Sequence, residues 1–183
     1  MFNRFIALIV LLLLAPIFII VGVSIIFEDG FPVFFKQKRV GINNSIFLIF
    51  KFRSMKKNTP DVATHLLEDP GQYLLKSGKI IRKLSFDELP NLINIIKGEM
   101  AFVGPRPALY NQYDLIELRT KHGIEKLKPG ITGWAQINGR DEIAIEEKVL
   151  LDKEYLEKKS MIFDLKIIIK TFTNVLFSKG VTH

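Results

Sequence analysis

The chain has 183 residues, no Cys and a formal net charge of +7 at pH 7. This length suits one domain with a modest core, and the lack of Cys excludes disulfides and thiolate metal sites. The positive charge favours an anionic partner: a membrane surface, a nucleic acid or a phosphorylated small molecule. The His residues lie far apart in the sequence, without metal-ligand spacing, at His65, His122 and His183.

The N-terminus contains a long apolar run, residues 5–27, without a formal charge. As a straight helix it would extend about 34 Å, enough to cross a hydrocarbon core of about 30 Å. A cleaved signal peptide fits poorly, because the run is too long and no clear cleavage site follows it. Two alternatives stay open: a spanning anchor, and a re-entrant helix that bends at Pro16, where the helix loses an N–H and meets the carbonyl of Leu12.

Every charged residue from position 36 to 57 is basic. By the positive-inside rule this segment faces the cytoplasm, and anionic headgroups would hold it at the membrane surface. The cations are Lys36, Lys38, Arg39, Lys51, Arg53, Lys56 and Lys57.

Residues 31–37 and 45–52 are rich in Phe, Ile and Val and flank an Asn/Gly turn, which predicts a β-hairpin. Residues 58–79 are expected to form a loop with a short helix, and residues 87–97 a helix that stops at Gly98. The sequence "EMAFVGPRP" predicts a short strand that runs into a rigid loop.

The second half of the chain is expected to be mainly helical. Helices are predicted over 108–122, 142–159 and 161–178, and an irregular segment over 128–140, which contains several Gly. The last helix is apolar over more than one narrow stripe. It is either a buried core helix or a helix lying in the membrane interface.

Adjacent carboxylates, Asp87 and Glu88, begin the predicted helix at 87–97. A capping box with Ser85 as N-cap would place Pro90 too deep in the helix. Asp87 as N-cap places Pro90 in the first turn, where its missing N–H costs nothing, and we favour that register. On this interpretation Asp87 caps the helix and Glu88 meets the positive end of its dipole.

The cations near this pair indicate a different chemistry. Arg82 lies just upstream, "GPRP" fixes Arg106 between two prolines, and "NGR" places Arg140 after a turn. Guanidinium groups suit phosphate oxygens, Mg²⁺ prefers oxygen ligands that include substrate phosphates, and a carboxylate can act as a nucleophile toward phosphorus. Together, behind an apolar anchor, these residues favour phosphoryl-group chemistry at a membrane surface.

Four motifs in series carry a family resemblance: "KFRSM" (51–55), "RKLSFDELPNL" (82–92), "FVGPRP" (102–107) and "KPGITGWAQINGR" (128–140). In order and spacing they resemble the bacterial sugar transferases known as monotopic phosphoglycosyl transferases, over nearly the whole chain. The resemblance implies transfer of a sugar-1-phosphate from a UDP-sugar to polyprenol phosphate, usually undecaprenyl phosphate, with release of UMP. This is the first membrane step of glycoconjugate biosynthesis.

The same resemblance implies residue roles. Asp87 would attack the β-phosphorus and form an aspartyl phosphosugar, which the polyprenol phosphate then displaces. Glu88 would assist in Mg²⁺ binding or proton handling, so both carboxylates are expected metal ligands. By the family match Arg82, Arg106 and Arg140 would hold phosphate oxygens.

The implied architecture is an α/β, mostly helical fold with a small β-hairpin and amphipathic interfacial helices in one compact domain. Residues 1–28 would form a re-entrant membrane helix, and residues 29–183 a catalytic domain bound to membrane lipids at the cytoplasmic face of the bacterial inner membrane. Two rival classes are a non-catalytic basic membrane-surface scaffold and a nucleic-acid binder. The apolar N-terminus and the lack of a binding motif count against nucleic acid.

Overall fold

The apolar N-terminus forms a bent pair of helices in a computed structural model, which describes residues 2–60, 69–139 and 143–176. Helix α1 spans Phe2–Leu13, helix α2 spans Ala15–Asp29, and their axes differ by 61°. Pro16 lies in the first turn of α2, where a missing N–H is tolerated. The predicted bend at Pro16 is confirmed. Within the described residues no single helix has the length and hydropathy to cross a membrane, although the bent pair does when taken together.

The predicted β-hairpin follows. Strands β1 (Phe34–Val40) and β2 (Ile46–Phe52) pair antiparallel, with Phe34 opposite Phe52. The turn between them contains Asn43 and Asn44 at φ angles of 52° and 57°. Asn tolerates this left-handed conformation better than most residues, so the turn chemistry and the strands agree.

Short helices and a second, parallel pair of strands complete the centre of the chain. These elements are α3 (Pro70–Tyr73), α4 (Lys76–Lys83), α5 (Asn91–Lys97), β3 (Ala101–Val103), α6 (Tyr113–Lys121), β4 (Gly130–Thr132) and α7 (Trp134–Asn138). The prediction of an irregular segment at 128–140 is wrong, because its described part contains strand β4, paired with β3, and helix α7.

The predicted C-terminal helices are present as α8 (Ile145–Lys158) and α9 (Met161–Leu176). On α9 Ile167 is fully buried. A stripe of apolar side chains on the same helix is more than half exposed: Met161, Ile162, Leu165, Ile169 and Phe172. Only one face of α9 therefore packs into the core. An interfacial role for its exposed apolar face stays a prediction.

The bent pair packs into the protein core. Ala7 on α1 is fully buried against Leu92 and Ile95 of α5. Val21 and Ile25 on α2 are buried in another cluster, whose other members are Phe52, Leu75 and Ile81. Because this packing joins α2 to β2 and α4, the apolar N-terminus helps to position the segments that carry the candidate site. The mostly helical fold with a small sheet is confirmed.

Candidate active site

Asp87 and Glu88 lie in a 3₁₀ turn, Phe86–Glu88, between α4 and α5. Ser85 opens the turn in the left-handed conformation, with φ 55°. The prediction that Asp87 caps a helix is wrong: α5 begins only at Asn91, directly after Pro90. Pro90, without an N–H, fits the cap position itself, and this leaves the Asp87 carboxylate within the turn, beside nearby cations.

Glu88 is bound by two cations. Its Oε1 atom accepts hydrogen bonds from Lys51 Nζ at 2.8 Å and from Arg106 Nη1 at 3.1 Å. Burial raises the pKa of the Glu88 carboxyl, but the charges and hydrogen bonds of Lys51 and Arg106 outweigh it and hold this pKa well below its usual range. Glu88 is therefore an ionised carboxylate at neutral pH, and it anchors two cations from distant parts of the chain.

Asp87 shares one of these cations. Its Oδ2 atom lies 4.0 Å from Lys51 Nζ, and its side chain is 14% exposed. Arg82 is also within electrostatic range: burial lowers the pKa of Arg82, and the charge of Asp87 opposes that effect. Asp87 thus lies in a mostly dry, cationic environment, in which Lys51 is held more closely by Glu88.

Two different supports hold the flanking arginines. Arg82 is in the last turn of α4, and its Nε donates to Ser54 Oγ at 2.9 Å. Arg106 lies in the loop after β3, and its backbone carbonyl accepts from Arg119 Nη1 at 2.8 Å. Arg119 in turn forms a buried ion pair with Asp152, 2.5 Å from Nη2 to Oδ2.

The structure brings together four of the five predicted site residues: Asp87, Glu88, Arg82 and Arg106. Arg140 lies outside the described residues. Sequence reasoning missed the contribution of Lys51, which it counted only as a surface cation, and the supporting roles of Ser54 and Arg119. The motif "KFRSM" contains Lys51 and Ser54, and its presence among the family motifs was the signal that could have found them.

The described residues of the site could bind a metal ion only together with a phosphorylated substrate. Within the described residues no cluster of three or more His, Cys, Asp or Glu side chains could enclose a metal. Asp87 and Glu88 provide adjacent carboxylates, and Mg²⁺ is commonly bound by one or two carboxylates while water and substrate phosphates complete its shell. The residues therefore suit a Mg²⁺ that is shared with a phosphorylated substrate.

Comparison with known families decides the class of protein. The family model described as "Bacterial sugar transferase" matches residues 1–178. The chain belongs to the bacterial sugar transferase family. The resemblance of its four motifs is thereby confirmed.

Relatives of this sugar transferase include proteins of similar and of greater length. It is 47% identical to the "Uncharacterized sugar transferase EpsL" of Bacillus subtilis, over 83% of this chain and 74% of the relative. It is 34% identical to the "Exopolysaccharide production protein ExoY" of Sinorhizobium fredii, over 98% of this chain and 85% of the relative. It is 40% identical to the "UDP-glucose:undecaprenyl-phosphate glucose-1-phosphate transferase" of Escherichia coli, over 90% of this chain but only 37% of that longer protein.

Proposed function

We propose that this sugar transferase moves a sugar-1-phosphate from a UDP-sugar to a polyprenol phosphate, undecaprenyl phosphate in bacteria, and releases UMP. The name of the E. coli relative describes this type of reaction. The observation that carries the proposal is the grouping of Asp87 and Glu88 with Lys51, Arg82 and Arg106. These five side chains carry three positive and two negative charges, so the group as a whole attracts a diphosphate.

The first step is displacement at the β-phosphorus of the donor. A carboxylate oxygen of Asp87 forms a bond to that phosphorus, and the bond from phosphorus to the bridging oxygen breaks. UMP leaves with the bridging oxygen and its electron pair. The mostly buried position of Asp87 favours this step, because a poorly hydrated carboxylate is a better nucleophile than a solvated one.

In the second step a phosphate oxygen of the polyprenol phosphate attacks the same phosphorus, and the Asp87–phosphorus bond breaks. One phosphoanhydride is lost and another is formed, so the transfer requires no external energy source. Because UMP leaves before the acceptor reacts, while the sugar phosphate stays bonded to Asp87, a soluble donor and a lipid acceptor use one site in turn.

Cations assist both steps by neutralising phosphate charge. Arg82, Arg106 and Arg140 would hold phosphate oxygens with their planar forks of donors. Asp87 and Glu88 would hold Mg²⁺, which when bound neutralises the diphosphate and stabilises the leaving UMP. The ionised state of Glu88 suits a metal ligand or a cation anchor better than a proton donor.

We also propose that residues 1–28 form a re-entrant membrane helix and residues 29–183 a catalytic domain at the cytoplasmic face of the bacterial inner membrane. At one end of the bent pair, the Arg4 guanidinium lies against Gly98, the residue that ends α5. At the other end, Asp29 pairs with Arg53, the residue that follows the hairpin. Both contacts involve the same domain, which supports an entry and an exit on one side of the bilayer.

A labelling experiment tests this topology, and the natural lack of Cys makes the background clean. We expect Asn3→Cys and Lys57→Cys to react with a membrane-impermeant maleimide only from the cytoplasmic side, because both ends of α1–α2 lie on that side. Labelling of Asn3→Cys from the periplasm, with Lys57→Cys still protected, would indicate a spanning helix.

Release of UMP tests the reaction itself. Purified protein in detergent with Mg²⁺ and undecaprenyl phosphate is given UDP-glucose, UDP-galactose, UDP-N-acetylhexosamines or UDP-diamino-trideoxy sugars in turn. We expect one donor class to give UMP and a lipid-linked sugar diphosphate. A non-catalytic membrane scaffold, the rival interpretation, would release UMP from none of them.

The position of Lys51 in the structure leads to a further prediction, which could not be made from the sequence alone. Lys51→Met removes a cation that contacts Glu88 at 2.8 Å and Asp87 at 4.0 Å. We expect kcat for UMP release to fall about 100-fold, as when one charge-stabilising donor is lost from an active site. The matched control is Lys121→Met, which removes a Lys from an exposed pair with Glu117 and should leave activity within about twofold. Lys51→Met with more than half of wild-type activity would contradict this role.

A further inference from the structure

Helix α2 ends in two acidic residues, and each one holds a different element. Glu28 accepts hydrogen bonds from the backbone N–H groups of Lys76 and Ser77 and, at 2.7 Å, from Ser77 Oγ. It thereby caps the N-terminus of α4, the helix that carries Arg82 in its last turn. Asp29 forms an ion pair with Arg53, the residue that follows β2.

Arg53 is buried and wraps around the exit of the chain from α2. Its side chain is 7% exposed. Besides the contact with Asp29, Arg53 Nε donates to the carbonyl of Pro32 at 2.6 Å, and Arg53 Nη2 donates to the carbonyl of Gly30 at 2.5 Å. A buried guanidinium with this many acceptors has one orientation, so the end of α2 fixes the backbone at residue 53.

The next residue, Ser54, contacts α4 through both its hydroxyl and its backbone carbonyl. Its hydroxyl accepts the hydrogen bond from Arg82 Nε at 2.9 Å, and its carbonyl accepts from the N–H of Leu75 at 3.0 Å. Gly78 of α4 packs directly on the Ser54 carbonyl, with no room for a side chain. Ser54 is therefore in contact with α4 both before its first turn and in its last.

We propose that Asp29, Arg53 and Ser54 are positioning residues. They link the packing of helix α2 against the domain to the orientation of Arg82 beside Asp87. Ser54 accepts a hydrogen bond from the Nε atom of the Arg82 guanidinium, and the charge of Asp87 acts on the same guanidinium. Glu28 fixes the other end of the same helix. The site would thus reach its working geometry only when α2 is packed in place; the catalytic consequence of this linkage rests on the proposed function.

A double-mutant cycle tests whether Ser54 acts through Arg82. We expect Ser54→Ala to lower kcat for UMP release about 10- to 100-fold, since a small displacement of a catalytic group has effects of this size. Ser54→Thr keeps the hydroxyl and should restore most of the loss. In an Arg82→Gln background, Ser54→Ala and Asp29→Asn should each cost less than about twofold more, because the group they position is already gone.

Multiplied losses in the double variants, or no loss in Ser54→Ala alone, would overturn the linkage. The matched control is Glu117→Gln, which removes a carboxylate from an exposed pair on α6 and should leave kcat within about twofold in either background.

Hydrogen exchange of the full chain in detergent separates failure of this linkage from failure of the proposed function, because it needs no substrate. We expect Asp29→Asn and Ser54→Ala to raise amide exchange over residues 82–89 about fivefold and to leave α8 (Ile145–Lys158) unchanged. Unchanged exchange over 82–89, or an equal rise in α8, would contradict the linkage. A wild-type protein that releases no UMP would instead overturn the proposed function, whatever the exchange shows.

Discussion

Asp87→Asn is expected to abolish sugar-phosphate transfer and to leave the fold intact. An amide is not a nucleophile toward phosphorus, so the covalent route closes, and the loss in kcat should exceed about 10⁴-fold. The fold should persist because Asp87 caps no helix and Asn has nearly the same shape. The measurements are UMP release with the preferred donor and the unfolding midpoint in detergent.

Asp114→Asn is the matched control for this experiment. Asp114 is an exposed acid in the first turn of α6, and the same chemical change there should leave turnover within about twofold of wild type. Substantial UMP release by pure Asp87→Asn protein, free of wild-type carry-over, would contradict a nucleophilic role for Asp87.

The second large effect is on stability. Asp152 is 1% exposed and pairs with Arg119, which is itself mostly buried. Burial raises the pKa of the Asp152 carboxyl, and the charge of Arg119 opposes that rise. Asp152→Ala leaves a guanidinium charge buried with its main anion removed, so the free energy of unfolding should fall by about 3–5 kcal/mol. Denaturant unfolding in detergent measures the loss.

The Asp152→Ala variant should also lose activity, because Arg119 donates a hydrogen bond to the backbone carbonyl of Arg106. The double variant Asp152→Ala/Arg119→Met should regain part of the stability, because it removes the buried charge as well as its partner. Glu157→Ala is the control on the same helix: it breaks an exposed pair with Lys153 and should cost less than about 1 kcal/mol. Equal losses for Asp152→Ala and Glu157→Ala would contradict a structural role for the buried pair.

Local sequence signals predicted the elements that local interactions form. The hairpin follows from two segments rich in Phe, Ile and Val around an Asn/Gly turn, and the bend at Pro16 follows from a missing N–H. Helix α4 was not predicted in full, because a Gly in its middle and polar flanks resemble a loop. Its stability comes from distant residues: Gly78 packs on Ser54, and Glu28 caps its first turn.

Strand β4 and helix α7 were missed for a related reason. Gly130, Gly133 and Gly139 indicated an irregular segment, yet β4 exists because it pairs with β3, a partner far away in the sequence. The cost of Gly130 within β4 is offset because the backbone of Gly104 lies too close there for a side chain. Propensity alone cannot anticipate such tertiary contacts.

At the candidate site the sequence singled out the two carboxylates together with Arg82 and Arg106, which the structure brings close to one another, but it did not predict their geometry. Asp87 and Glu88 were predicted as a helix cap and a dipole contact, whereas both face cations from other elements. Lys51 reaches them from β2, a proximity that only the packing of the hairpin on the turn at 86–88 creates. The residue types alone suggested phosphoryl-group chemistry, whereas the contacts among these side chains could be seen only in the folded structure.

We propose that an oxygen of Asp87 becomes covalently bonded to phosphorus during transfer. Intact-protein mass spectrometry after rapid acid quenching with the preferred UDP-sugar, in the absence of polyprenol phosphate, tests it directly. We predict a mass increase of one sugar phosphate that maps to Asp87 and disappears when undecaprenyl phosphate is added. No adduct at any quench time, together with initial-rate kinetics that require donor and acceptor to be bound at once, would contradict a covalent intermediate on Asp87.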